Sequence, residues 1–103
     1  MTTKKSKTMK YLENITGGQM SLRELLYAIR LGEEMSQVEF AKKLKISRSH
    51  LCDIEKGRKN ISVERATVFA KILQYSEDQF IRLAFQDQLV NAGLDYKVKL
   101  EAA

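Results

Sequence analysis

Apolar residues recur at a helical period through most of this chain and at a period of two only near its end. Leu22, Leu25, Leu26 and Ile29 fall at i, i+3, i+4 and i+7, one face of a helix between Ser21 and Gly32. Val38, Phe40, Ala41 and Leu44 are the packing candidates of a second helix, and Leu51 and Ile54 those of a short third one. Val63, Ala66, Val68, Phe69, Ala70, Ile72 and Leu73 predict a fourth helix, buried in whole or part. Phe80, Ile81, Leu83, Ala84, Leu89 and Val90 predict a fifth, apolar on more than one side. A serine stands at the start of each segment: Ser21, Ser36, Ser47, Ser62 and Ser76. A serine hydroxyl at the N-cap accepts an otherwise orphaned backbone N–H, and Glu24, Glu39 and Gln79 stand where a capping box needs its second member. Gly32, Gly57 and Gly93 lie at or just past helix ends, Gly57 as the C′ residue of the third.

The two ends break this rhythm. Residues 1–8 are polar, Met9 to Ile15 carries a weak strand pattern, and Gly17-Gly18 is a loop signal. Leu94, Tyr96, Val98 and Leu100 alternate with Asp95, Lys97, Lys99 and Glu101, which predicts a strand. One strand cannot satisfy its own backbone. It pairs with residues 9–15, with a second subunit or with another protein, or it frays. The expected organisation is an arm over 1–20, an all-α five-helix domain over 21–93 and a strand-like tail over 94–103.

Composition narrows the function. The 103 residues are 44% hydrophobic, with no Pro and 5 Gly, enough for one small core with short connections. No run approaches the length of a membrane span, and no apolar segment follows the basic start, so neither membrane nor secretory signal is expected. The single cysteine, Cys52, makes no internal disulfide, which fits a cytoplasmic location. Net charge is +5, unevenly spread. Residues 42–59 carry seven bases against two acids, whereas residues 76–95 carry four acids against one base. The basic segment coincides with the second and third helices, where attraction to phosphate would need it. For Lys42-Lys43 taken alone, a solvated helix face is an equal reading. The basic arm of residues 1–10 is either solvated or laid along a minor groove.

Residues 36–57 read as two short helices joined by a tight turn, with polar and basic groups on the outer face of the second, the layout of a helix-turn-helix. Four pieces of text carry a closer likeness: Leu22-Arg23-Glu24-Leu25, Met35-Ser36-Gln37-Val38-Glu39-Phe40-Ala41, Ile46-Ser47-Arg48-Ser49-His50-Leu51, and Ile54-Glu55-Lys56-Gly57-Arg58-Lys59. Over roughly residues 22–83 the chain resembles the Cro/CI-type (XRE-like) helix-turn-helix family. The resemblance implies a sequence-specific DNA-binding transcriptional regulator, a repressor, acting as a homodimer on a pseudo-palindromic operator of double-stranded DNA. Its third helix, Ser47–Lys56, would read the major groove.

By the same resemblance, Gln37 and the helix N-terminus around it grip a phosphate. Base reading falls to Arg48, Ser49 and Asp53, with Ser47 and Cys52 near the rim. Arg48 is the strongest reader, because a guanidinium bonds both O6 and N7 of guanine. Asp53 either accepts from cytosine N4 or holds Arg48 in place. His50 faces phosphate, and Arg58, Lys59 and Asn60 add backbone contacts. Arg30 and Glu55 match an ion pair between the first and third helices. Lys45 departs from the family pattern, which often has glycine in the turn.

Within the same DNA-binding class an antitoxin, which would bind its own promoter and neutralise a toxin through the terminal segments, is a near-equal reading, since the tail serves either a toxin or the homodimer. A protein-interaction module is weaker, because it would have dispensed with Arg48, Lys56, Arg58 and Lys59. The chain has no paired carboxylates, triad or phosphate loop, so no enzyme is expected. One histidine and one cysteine make no metal site, and no cofactor is expected.

Overall fold

The computed structural model describes residues 20–103. They form five helices: α1 (Leu22–Gly32), α2 (Gln37–Leu44), α3 (Arg48–Glu55), α4 (Val63–Leu73) and α5 (Glu77–Asn91). The architecture is all-α, as the apolar spacing predicts.

All five helices start in the same way. Ser21, Ser36, Ser47, Ser62 and Ser76 are the N-caps, each accepting at its hydroxyl from the backbone N–H three residues on, at 3.0–3.3 Å. Glu24 and Glu39 return the bond to the backbone N–H of Ser21 and Ser36, completing two capping boxes. At Ser76 only the serine half of the box forms.

The helices also end alike, and here the sequence is less transparent. The backbone N–H groups of Met35, Ile46, Arg58, Tyr75 and Leu94 reach back five residues to the carbonyls of Arg30, Ala41, Asp53, Ala70 and Leu89. This closure puts the preceding residue in the left-handed region. Those residues are Glu34 (φ 56°), Lys45 (φ 62°), Gly57 (φ 77°), Gln74 (φ 61°) and Gly93 (φ 74°). Glycine occupies only two of the five positions, although a side chain there costs about 1 kcal/mol. Gly32 lies inside the last turn of α1, and the left-handed residue is Glu34 instead.

The described residues divide between Lys59 and Asn60 into two units. In the first, α3 packs on both α1 and α2. Leu22, Leu25, Leu26 and Ile29 of α1, Phe40, Ala41 and Leu44 of α2, and Leu51 and Ile54 of α3 are buried. An eight-residue helix has little stability of its own, so α3 depends on these anchors. Burying Leu51 and Ile54 contributes about 1.5–3 kcal/mol each. In the second unit α4 packs on α5. Ala66, Phe69, Ala70, Leu73, Phe80, Leu83 and Ala84 are buried, and the Tyr75 ring lies tilted on Phe80 at 5.7 Å. Val38 and Val68, expected to pack, are exposed.

Residues 94–103 carry no regular secondary structure, and the described residues include no strand for them to pair with. Instead the Gln86 side-chain amide bonds the backbone of Tyr96 and Val98. The other expected strand, residues 9–15, and the basic arm lie outside the described residues.

Candidate nucleic-acid interface

The turn between α2 and α3 brings the first residue of each helix together. Gln37 opens α2 and Arg48 opens α3, and an Arg48 Nη1 donates to Gln37 Oε1 at 3.2 Å. The turn achieves this through Lys45, whose left-handed backbone reverses the chain within three residues of Ser47. Gln37 Nε2 in turn donates to Glu55 Oε1 at 2.9 Å. The Gln37 amide is therefore used at both ends, and its carbonyl is the end that meets Arg48.

Glu55 anchors this chain of contacts to α1. Arg30 Nε donates to Glu55 Oε2 at 2.8 Å and Arg30 Nη2 to Oε1 at 3.1 Å, a two-pronged pair. The pair is well shielded: the Arg30 side chain is 12% exposed and that of Glu55 is 5%. Arg30 Nη1 also donates to the Met35 carbonyl at 3.1 Å, and its guanidinium stands 5.2 Å from the centre of the Tyr27 ring. Hydrogen bonding to Glu55 holds Arg30 above its already high ordinary pKa, outweighing the opposing effect of burial. An unbroken path of polar contacts thus runs from α1 through the end of α3 to the exposed residue at its start.

The remaining expected site residues fall as follows. Ser47 and Ser49 are exposed at the start of α3, Ser47 with its hydroxyl oxygen already accepting from His50 N–H. His50 and Cys52 are half-buried on the same helix, Cys52 as a free thiol. Asp53 Oδ1 lies 3.5 Å from Arg58 Nη1, and Arg48 is held by Gln37, which was expected to meet a phosphate, rather than by Asp53. Arg58 and Lys59 are exposed just past the Gly57 closure, their N–H groups both bonded to the Asp53 carbonyl. Asn60 begins the second unit, where its side-chain oxygen accepts from Asn91. Lys43 pairs with Glu33 at 3.1 Å, while Lys42 is exposed.

Sequence reasoning passed over Arg23. Its Nη1 donates to the Glu55 carbonyl at 3.3 Å, covering one of the unsatisfied carbonyls at the end of α3. Its guanidinium lies over Gly57, where an added Cβ would stand 3.3 Å from Nε. The available signal was a basic residue on α1 at the same face as Arg30, seven positions away.

The outer face of α3 combines an arginine fork, two serine hydroxyls and flanking cations, with Leu51 and Ile54 holding the helix from behind. Such a face offers donors to base edges at its start and charge to phosphates at its ends. No helix among the described residues is long and apolar enough to cross a membrane. No curated protein and no solved structure matches the chain. The family described as Helix-turn-helix (HTH_3) matches residues 26–80, just over half of the 103 residues and inclusive of α2, the turn and α3. The chain belongs to this helix-turn-helix family, the DNA-binding regulators of the XRE (Cro/CI) kind.

Proposed function

We propose that the protein is a cytoplasmic repressor that binds a pseudo-palindromic operator as a homodimer. Each copy lays α3 in the major groove, with half-sites roughly 34 Å apart. The observation that carries this reading is the exposed Arg48 at the start of α3, held by the Gln37 carbonyl. One Arg48 nitrogen is engaged there, and the rest of the fork is free to bond guanine O6 and N7. Ser49 adds a second base contact. Ser47, Gln37 and His50 bond phosphates at the front of the site, and Arg58 and Lys59 do so at the back. Asp53, neutralised by Arg58, approaches a cytosine N4 without repelling the backbone.

The test is a mobility shift with DNA from upstream of the protein's own gene. Arg48→Ala should relax discrimination at one base pair, costing about 1–3 kcal/mol there. Lys59→Ala should weaken binding to every sequence and lower the salt slope by about one. Binding that salt does not affect, or equal effects of the two changes on all sequences, would sink the reading.

A further inference from the structure

The tail after α5 has one edge in use and one edge open. Gln86 Nε2 donates to the Tyr96 carbonyl at 2.7 Å, and the Val98 N–H donates to Gln86 Oε1 at 2.8 Å. A neighbouring parallel strand bonds the same two groups, one on each side of the residue it faces. The Gln86 amide takes that place across Lys97. Along such an extended segment the backbone groups alternate in direction, so those of Asp95, Lys97 and Lys99 face away from Gln86. Among the described residues none of them has a hydrogen-bond partner. Leu94, Tyr96 and Leu100 are exposed, Tyr96 to 69%. An open edge with apolar side chains beside it takes up another strand.

We propose that this tail pairs with the same segment of a second copy, antiparallel, about a two-fold axis at Lys97. In that register Asp95 lies opposite the second copy's Lys99 on both sides of the axis. Tyr96 meets Val98 and Leu94 meets Leu100, an aromatic–β-branched pair and a leucine pair, each formed twice. The one like-charge meeting is Lys97 with its symmetry mate, which opposes the pairing but is outnumbered by the two Asp95–Lys99 pairs. Slipping the centre to Lys99 keeps two charge pairs, Lys97 with Glu101, and keeps Val98 opposite Leu100, but sets Tyr96 opposite Ala102. Slipping it to Asp95 sets Lys97 opposite Gly93 and Asp95 opposite its own symmetry mate. The apolar pattern, with Tyr96 and both leucines paired to large partners, therefore selects the register centred on Lys97, and the charges are compatible with it. Gln86 contributes by holding the segment extended before the copies meet, which lowers the ordering cost of association.

This pairing deepens the dimeric reading above and rests on it for its purpose, but oligomeric state is measured without DNA. Sedimentation equilibrium of the full chain should show a dimer. Lys97→Pro, which removes the central N–H outside any helix, should give a monomer of unchanged helical circular dichroism. D95K and K99D should each weaken dimerisation about tenfold by setting like charges opposite one another. Mixed together, D95K and K99D should form a heterodimer as tight as the wild type. A monomeric wild type, a dimeric K97P, or a mixture no tighter than either variant alone overturns the proposal. So does a chain that stays monomeric while its tail takes up a strand of a different protein. A monomer that still binds a half-site fails the strand pairing and leaves the DNA reading standing; a dimer that binds no DNA does the reverse.

Discussion

Removal of the Glu55 carboxylate separates stability from DNA reading in this fold. The carboxylate accepts three side-chain hydrogen bonds, two from Arg30 and one from Gln37. With Glu55→Ala, the Arg30 guanidinium keeps the Met35 carbonyl and the Tyr27 ring but has no counter-charge at 12% exposure. At an effective dielectric of about 20, opposite charges some 4 Å apart attract by about 4 kcal/mol. Stranding one partner of a shielded pair typically costs about 3–5 kcal/mol. The residual Met35 and Tyr27 contacts favour the lower end, about 3 kcal/mol, to be read from urea unfolding followed by circular dichroism. An exposed pair would lose less than about 1 kcal/mol, so a loss that small would refute the shielding argument. The double variant Arg30→Met, Glu55→Leu removes both charges and should return to within about 1 kcal/mol of the wild type. It should nonetheless bind DNA with about tenfold less discrimination at the Arg48 base pair, because nothing then fixes the Gln37 amide. Its salt slope should not change. A stable double variant with undiminished discrimination would show that Gln37 does not transmit the orientation of Glu55 to Arg48.

Four further changes probe the backbone closures and a cap. Gly57→Ala should destabilise by about 1–2 kcal/mol in thermal unfolding, since φ is 77° and the new Cβ crowds Arg23 at the end of α3. Lys45→Gly and Gln74→Gly should each stabilise by up to about 1 kcal/mol by relieving a left-handed side chain; only the former should also lower DNA affinity and the salt slope, by removing a cation from the turn. The backbone N–H of Ser36, and then its hydroxyl, hold the Glu39 carboxyl below its ordinary range. A depressed carboxyl stabilises the fold fully above its unfolded pKa of about 4.3, and that contribution is lost as pH falls through the lower folded value. Acid titration of Glu39→Gln should therefore show a shallower loss of stability below that pH than the wild type shows.

Local chemistry made the helix starts easy to read. A serine hydroxyl satisfies an N–H three residues away, so all five N-caps lie within the sequence window that reveals them. The helix ends were harder, because their closure constrains φ rather than side-chain chemistry. Glu34 and Gln74 carry no mark of a left-handed residue, and only glycine advertises one. Val38 and Val68 show the limit of periodicity: both fit an apolar face by residue type, yet the short helices bury narrower stripes than the sequence offers. In the tail the period of two was legible but its partner was not, because a glutamine amide on α5 can replace a strand without any pattern that reveals it.

The site divides along the same line between residue type and orientation. Gln37, Arg48, Arg30 and Glu55 all stand out in the sequence, but an amide has a donor end and an acceptor end, and residue identity does not say which end faces which neighbour. Glu55 is acceptor-only as a carboxylate, so it takes the Gln37 nitrogen and leaves the oxygen. The residue at the start of α3 must then donate, and Arg48 does. Arg30 enforces this choice at a distance, since two of its nitrogens engage both Glu55 oxygens and hold the carboxylate in place. A donor is thus selected at position 48 by an ion pair that does not itself touch position 48. A glutamine at position 48 could satisfy the same carbonyl with its own nitrogen, whereas an acidic residue there would face an oxygen and lose its anchor. By this reasoning Arg48→Gln keeps the Gln37 contact and changes the base read, while Arg48→Glu leaves the Ser47-capped turn in place but loses that contact and reads none.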